Sequence, residues 1–131
     1  MQKIAIITAG GSGSRMGSPI PKQFLLLNQK PLLWYTISAF LEAFRDISII
    51  LVLPQDYMTA GAELVNELQI TNQTTLVVGG STRYHSVQNG IQQIKNHSVV
   101  FVHDGVRCLV TPNLIKRCFE QTIEKGSAIP A

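Results

Sequence analysis

The chain has 131 residues, of which 45% are hydrophobic and 15% charged, with a formal charge of +3. That length suits one compact domain with a real core and is too short for two. The basic residues are scattered rather than gathered into a nucleic-acid arm, and no apolar stretch is long enough to span a bilayer, so a nucleic-acid or membrane partner is not expected and a small anionic one is.

The first predicted element is a buried strand, Lys3–Thr8, followed by Ala9-Gly10-Gly11-Ser12-Gly13-Ser14-Arg15-Met16-Gly17 and then Pro21-Lys22-Gln23. Four glycines within positions 10–17 remove the Cβ atoms that keep backbone N–H groups away from a ligand. A concave run of N–H groups suits phosphate, and Arg15 and Lys22 add positive charge at its edge. The spacing is not that of a P-loop, because Ser18 follows Gly17 where lysine is required. Nor is it a dinucleotide fingerprint starting at Gly11, because Met16 occupies the last glycine position and Pro19 and Pro21 prevent a helix from opening there.

A helix is predicted from Pro31 to Phe44, with Leu32, Leu33, Tyr35, Thr36, Ala39, Phe40 and Ala43 on its apolar face and Trp34 also read as core. Strand Ser48–Leu53, helix Asp56–Leu68 and strand Thr75–Val78 come next. Gly79-Gly80-Ser81-Thr82-Arg83-Tyr84-His85-Ser86 then leads into a helix over 81–95, with Ser81 as the candidate N-cap. Arg83, Ser86 (or Val87) and Gly90 share one helical face, and a glycine inside a helix hints at close packing. Strand Ser98–Val102 precedes His103-Asp104-Gly105-Val106-Arg107, Thr111-Pro112 opens a last helix, and Ser127–Ile129 starts a strand.

Alternating strands and helices imply an α/β fold, a Rossmann-like, doubly wound and mainly parallel sheet that stops short at its C-terminus. Ligands bind such sheets beyond the carboxyl ends of the strands, where the segments 9–22, 79–86 and 103–107 all fall. A carboxylate at a strand end beside a phosphate cradle suits Mg²⁺, which makes Asp104 the candidate ligand, with Arg107 touching phosphate or holding Asp104. His103 is read as a hydrogen-bonded neighbour of the site. Cys108 and Cys118 match no metal spacing and no secretory leader precedes the first strand, so reduced thiols and a cytoplasmic setting are expected.

Taken in order, the opening loop with Pro21-Lys22-Gln23-Phe24, Gly79-Gly80 with Arg83 and Ser86-Val87, and Val102-His103-Asp104 with Arg107 resemble the 2-C-methyl-D-erythritol 4-phosphate cytidylyltransferase family. The resemblance implies transfer of a cytidylyl group from CTP to a polyol phosphate, with release of pyrophosphate. Under it, Arg15 and Lys22 are catalytic and grip the triphosphate. Ala9, Gly10, Gly11, Ser12, Gly13, Gly80, Ser81, Arg83 and Ser86 surround the nucleotide, Asp104 binds Mg²⁺ and Arg107 supports the site. Ribitol-5-phosphate cytidylyltransferase and a non-catalytic CTP-binding module are the alternatives, the second disfavoured by the presence of Arg15, Lys22 and Asp104. Family members also continue past residue 131. Residues 1–131 are therefore expected to form the nucleotide-binding part of a single domain, homodimeric when full-length, whose acceptor-binding part is absent. Gly105, Val106 and Cys108 depart from the family pattern, which predicts a locally looser loop, and Ser81 stands where relatives often carry an acidic residue.

Overall fold

Strands whose side chains are apolar on both faces need cover on both faces, and the observed architecture supplies it. The computed structural model describes residues 2–9, 26–27, 30–96, 98–105 and 111–125. In chain order these form β1 (Gln2–Thr8), β2 (Leu26–Leu27), β3 (Lys30–Pro31), α1 (Leu32–Ala43), β4 (Ser48–Leu53), α2 (Met58–Glu67), β5 (Thr74–Val78), α3 (Arg83–Ile91), β6 (Ser98–Asp104) and α4 (Pro112–Lys125). Four strands make one all-parallel sheet in the order β5-β4-β1-β6, while β2 and β3 form a small antiparallel hairpin that the sequence pattern did not predict. The stub at 127–129 and Cys108 lie outside the described residues.

One face of the sheet carries Ala5, Ile7, Ile49, Leu51 and Leu53 against Leu33, Ile37 and Phe40 of α1, Leu64 and Val65 of α2 and Ile115 of α4. The opposite face carries Ile4, Ile6, Ile50 and Val52. There α3 lies close, because Gly90 is buried on the strands: a Cβ at that position would come within 2.9 Å of Ile6 Cγ2 and 3.3 Å of Val52 Cγ2. Close packing is thus the reason for a helical glycine. On α1 the buried set is Leu33, Thr36, Ile37, Ala39, Phe40 and Ala43, so Ile37 joins the predicted face. Leu32, Trp34 and Tyr35 are half-buried; of the two aromatics read as core, Trp34 packs against the core from its margin. Thr111 caps α4 as predicted, its hydroxyl accepting from Leu114 N at 3.2 Å with Pro112 in the first turn. Cys118 is buried on that helix.

Strand order decides where a ligand can sit. From β1 the chain moves outward to β4 and β5, then returns to place β6 on the other side of β1. The order of winding therefore reverses between β1 and β6, and parallel sheets bind ligands beyond the carboxyl ends of their strands at such a point. In register, Thr8 lies opposite both Val52 and Asp104, and Leu53 opposite Val78, so all four strands finish along one edge.

Candidate functional site

Each segment singled out by the sequence leaves this edge through one backbone hydrogen bond to a neighbouring strand. Ala9 N donates to Val52 O at 2.7 Å, Gly79 N to Leu53 O at 2.7 Å and Gly105 N to Thr8 O at 2.9 Å. The ladder thus runs one residue past the strands and fixes where the three loops begin. Between β5 and β6 lie three strand spacings, about 14 Å.

Asp104 ends β6, two residues further along than predicted, and is half-buried opposite Thr8. Paired residues of neighbouring strands project to the same side, and Ile4 and Ile6 face α3, so Asp104 projects on the α3 side of the edge. His103 projects the other way, its ring meeting that of Phe40 edge-on at 5.7 Å, while its carbonyl accepts from Thr8 Oγ1 at 3.4 Å. The predicted looseness after Asp104 is not found at Gly105. That residue is buried, its N–H is bonded to Thr8, and its carbonyl accepts from the buried Thr36 hydroxyl at 2.9 Å. Glycine fits because a Cβ there would stand 3.0 Å from Leu33 Cδ1 and 3.4 Å from Thr8 O.

At the other end of the edge, Gly79-Gly80 turns into α3. A Cβ on Gly80 would overlap His85, so the turn closes this tightly only with glycine. Gly80 N donates to Ser86 Oγ at 3.1 Å, and Ser86 is 1% exposed. The N-cap is Thr82 rather than Ser81: the Thr82 side chain accepts from His85 N at 3.1 Å, while Ser81 Oγ lies 3.1 Å from His85 Nδ1. Ser81 is one residue too early to reach the third N–H of this helix. Ser86 and Gly90 share the buried face of α3, whereas Arg83, the first residue of the helix, is exposed. Asn89 was not singled out by the sequence, yet its Nδ2 donates to Val78 O at 3.0 Å and fastens α3 to the end of β5.

The structure therefore brings Ala9, Gly80, Ser81, Arg83, Ser86 and Asp104 to one edge of the sheet. Gly10, Gly11, Ser12, Gly13, Arg15, Lys22 and Arg107 lie outside the described residues. Two other lysines are held elsewhere. Lys3, at the amino end of β1, sits over the Phe44 and Phe119 rings at 5.1 and 5.4 Å, and Lys30 pairs with Glu67 at 2.7 Å.

Residues 3–131 match the family described as IspD, 2-C-methyl-D-erythritol 4-phosphate cytidylyltransferase. The chain belongs to this cytidylyltransferase family. Among the family's curated proteins, that of Bacteroides thetaiotaomicron is 42% identical over 130 residues, covering 99% of this chain and 59% of the relative. That of Azobacteroides pseudotrichonymphae is 44% identical with the same coverage. Among solved structures, the 4-diphosphocytidyl-2C-methyl-D-erythritol synthase of Anaerococcus prevotii superposes with a TM-score of 0.77 at 26% identity, covering 95% of this chain and 51% of that one. The chain thus spans between half and three-fifths of the length of these cytidylyltransferases.

Among the described residues, no three His, Cys, Asp or Glu side chains converge as a metal-binding group. No helix among the described residues is long and apolar enough to cross a membrane.

Proposed function

We propose that this chain supplies the nucleotide-binding part of an enzyme that transfers a cytidylyl group from CTP to the phosphate of 2-C-methyl-D-erythritol 4-phosphate. An oxygen of the acceptor phosphate attacks the α-phosphorus of CTP. The bond from that phosphorus to the bridging oxygen of the β-phosphate breaks, and pyrophosphate leaves. No covalent enzyme intermediate is required, so positioning and electrostatics carry the catalysis. One observation above all supports this reading in a chain of this family: Asp104 and Thr8 lie opposite each other where the winding of the sheet reverses, on the side where the Gly80 turn enters α3.

In this reading Gly10, Gly11, Ser12 and Gly13 cradle the phosphates through their N–H groups. Arg15 and Lys22 grip the triphosphate and meet the charge that builds on the α-phosphate. Ala9, Gly80, Ser81 and Ser86 surround the base, Arg83 and Arg107 support the site, and Asp104 would hold Mg²⁺. Bound there, the ion neutralises triphosphate charge. We further read the enzyme as a cytoplasmic homodimer in its full-length form.

The test is release of pyrophosphate from CTP by the chain and by a full-length form, with 2-C-methyl-D-erythritol 4-phosphate or ribitol 5-phosphate as acceptor. Turnover by the full-length form with the first acceptor and not the second supports the reading. Turnover only with ribitol 5-phosphate, or with neither, refutes it.

A further inference from the structure

Ser81 and His85 make a contact that the capping of α3 does not require, because Thr82 already caps the helix. Both side chains are exposed beside Gly80. The imidazole is also packed edge-on against the Tyr84 ring at 5.8 Å, and the Tyr84 hydroxyl in turn accepts from Gln88 Nε2 at 2.8 Å. The ring that meets Ser81 is thus steadied from a second side.

A serine hydroxyl carries one proton and donates in one direction only. Where Nδ1 of His85 bears the lone pair, Ser81 donates to it and turns outward as an acceptor. Where Nδ1 bears the proton, the polarity reverses and Ser81 turns outward as a donor. His85 is the third residue of α3, in the first turn, where the N-terminal end of the helix carries partial positive charge.

We infer that His85 is a positioning residue that holds Ser81 as a hydrogen-bond acceptor, so that the turn selects a pyrimidine with an amino group at position 4 over one with a carbonyl there. Cytosine presents a donor at that position and uracil an acceptor, so fixed polarity at Ser81 separates the two. The inference rests on reading the Gly80–Ser86 turn as the base site and adds a residue, a polarity and a selection rule to it.

The experiment measures Kd for CTP and for UTP, with Mg²⁺, in the unaltered chain and in His85→Phe, His85→Asn, Ser81→Ala and the Phe/Ala double variant. Asparagine can present an amide oxygen near the place of Nδ1, whereas phenylalanine cannot. The preference for CTP should fall by about tenfold in His85→Phe, the worth of one hydrogen bond. It should fall equally in Ser81→Ala, no further in the double variant, and largely return in His85→Asn. Nitrogen NMR of the imidazole should show Nδ1 without a proton. Preference that survives in His85→Phe, equal weakening of both nucleotides, or a protonated Nδ1 overturns the proposal alone. An unaltered chain that binds neither nucleotide overturns the base-site reading and the proposal with it.

Discussion

The buried hydroxyl of Thr36 donates to the carbonyl of Gly105 at 2.9 Å, joining the first helix to the residue that follows Asp104 across 69 positions of sequence. With Gly105 N bonded to Thr8 O, this fixes both polar groups of one peptide residue at the mouth of the proposed site. Thr36→Val keeps the shape and removes the donor, leaving a buried carbonyl unsatisfied. It should lower stability by about 1–3 kcal/mol, measured by urea denaturation. An unchanged midpoint would show that this hydrogen bond does not hold the loop.

Gly90→Ala tests the seat of α3. Alanine gains roughly 1 kcal/mol of helix propensity over glycine. Its methyl, however, would press on γ-methyl groups of Ile6 and Val52, β-branched side chains fixed in buried strands. Overpacking of this kind costs about 1–3 kcal/mol and should outweigh the propensity gain. A lower denaturation midpoint is expected, and a higher one would mean that the helix can retreat from the sheet freely.

Asp104→Asn removes the carboxylate charge at the end of β6 with little change of shape. CTP affinity in the presence of Mg²⁺ should then fall to the level measured without the ion. Calorimetric titration of the variant with and without Mg²⁺ checks this, and an undiminished magnesium effect would remove Asp104 from its assigned role.

Arg15→Ala and Lys22→Ala in the full-length enzyme should each reduce kcat/KM by an amount equivalent to about 3 kcal/mol or more, because their charges would act on the reacting phosphate. Steady-state kinetics with saturating acceptor decides the matter, and near-normal values in both variants would refute the assignment.

Much of the fold is readable from residues alone. β1 and β4 are apolar without alternation, which only burial on both faces tolerates, and that pattern led directly to a parallel sheet. What is not written locally is strand order. Nothing near Thr8 or Asp104 reveals that they lie opposite each other, yet that pairing puts the site where the winding of the sheet reverses. Thr36 reads as one more member of an apolar helical face, because the partner of its hydroxyl is remote in sequence. The hairpin of β2 and β3 has two residues per strand, too few for any period to show. Ser81 and Thr82 are chemically equivalent as caps, and only the backbone path shows that Thr82 takes the role. At the candidate site, the glycines and charges were legible as residue types. The fastening contacts of Ser86, Asn89 and Gly105 were not, because they depend on how α3 and β6 meet the rest of the sheet.

The most direct measurement is calorimetric titration of this 131-residue chain with CTP, UTP, ATP and GTP, with and without Mg²⁺. It addresses only the nucleotide half of the reaction, which is what the edge beyond β1, β5 and β6 is proposed to hold. Magnesium-dependent binding that favours CTP is the predicted result. A folded chain that binds none of the four, or binds them without preference, would contradict the assignment of this edge as a cytidine nucleotide site.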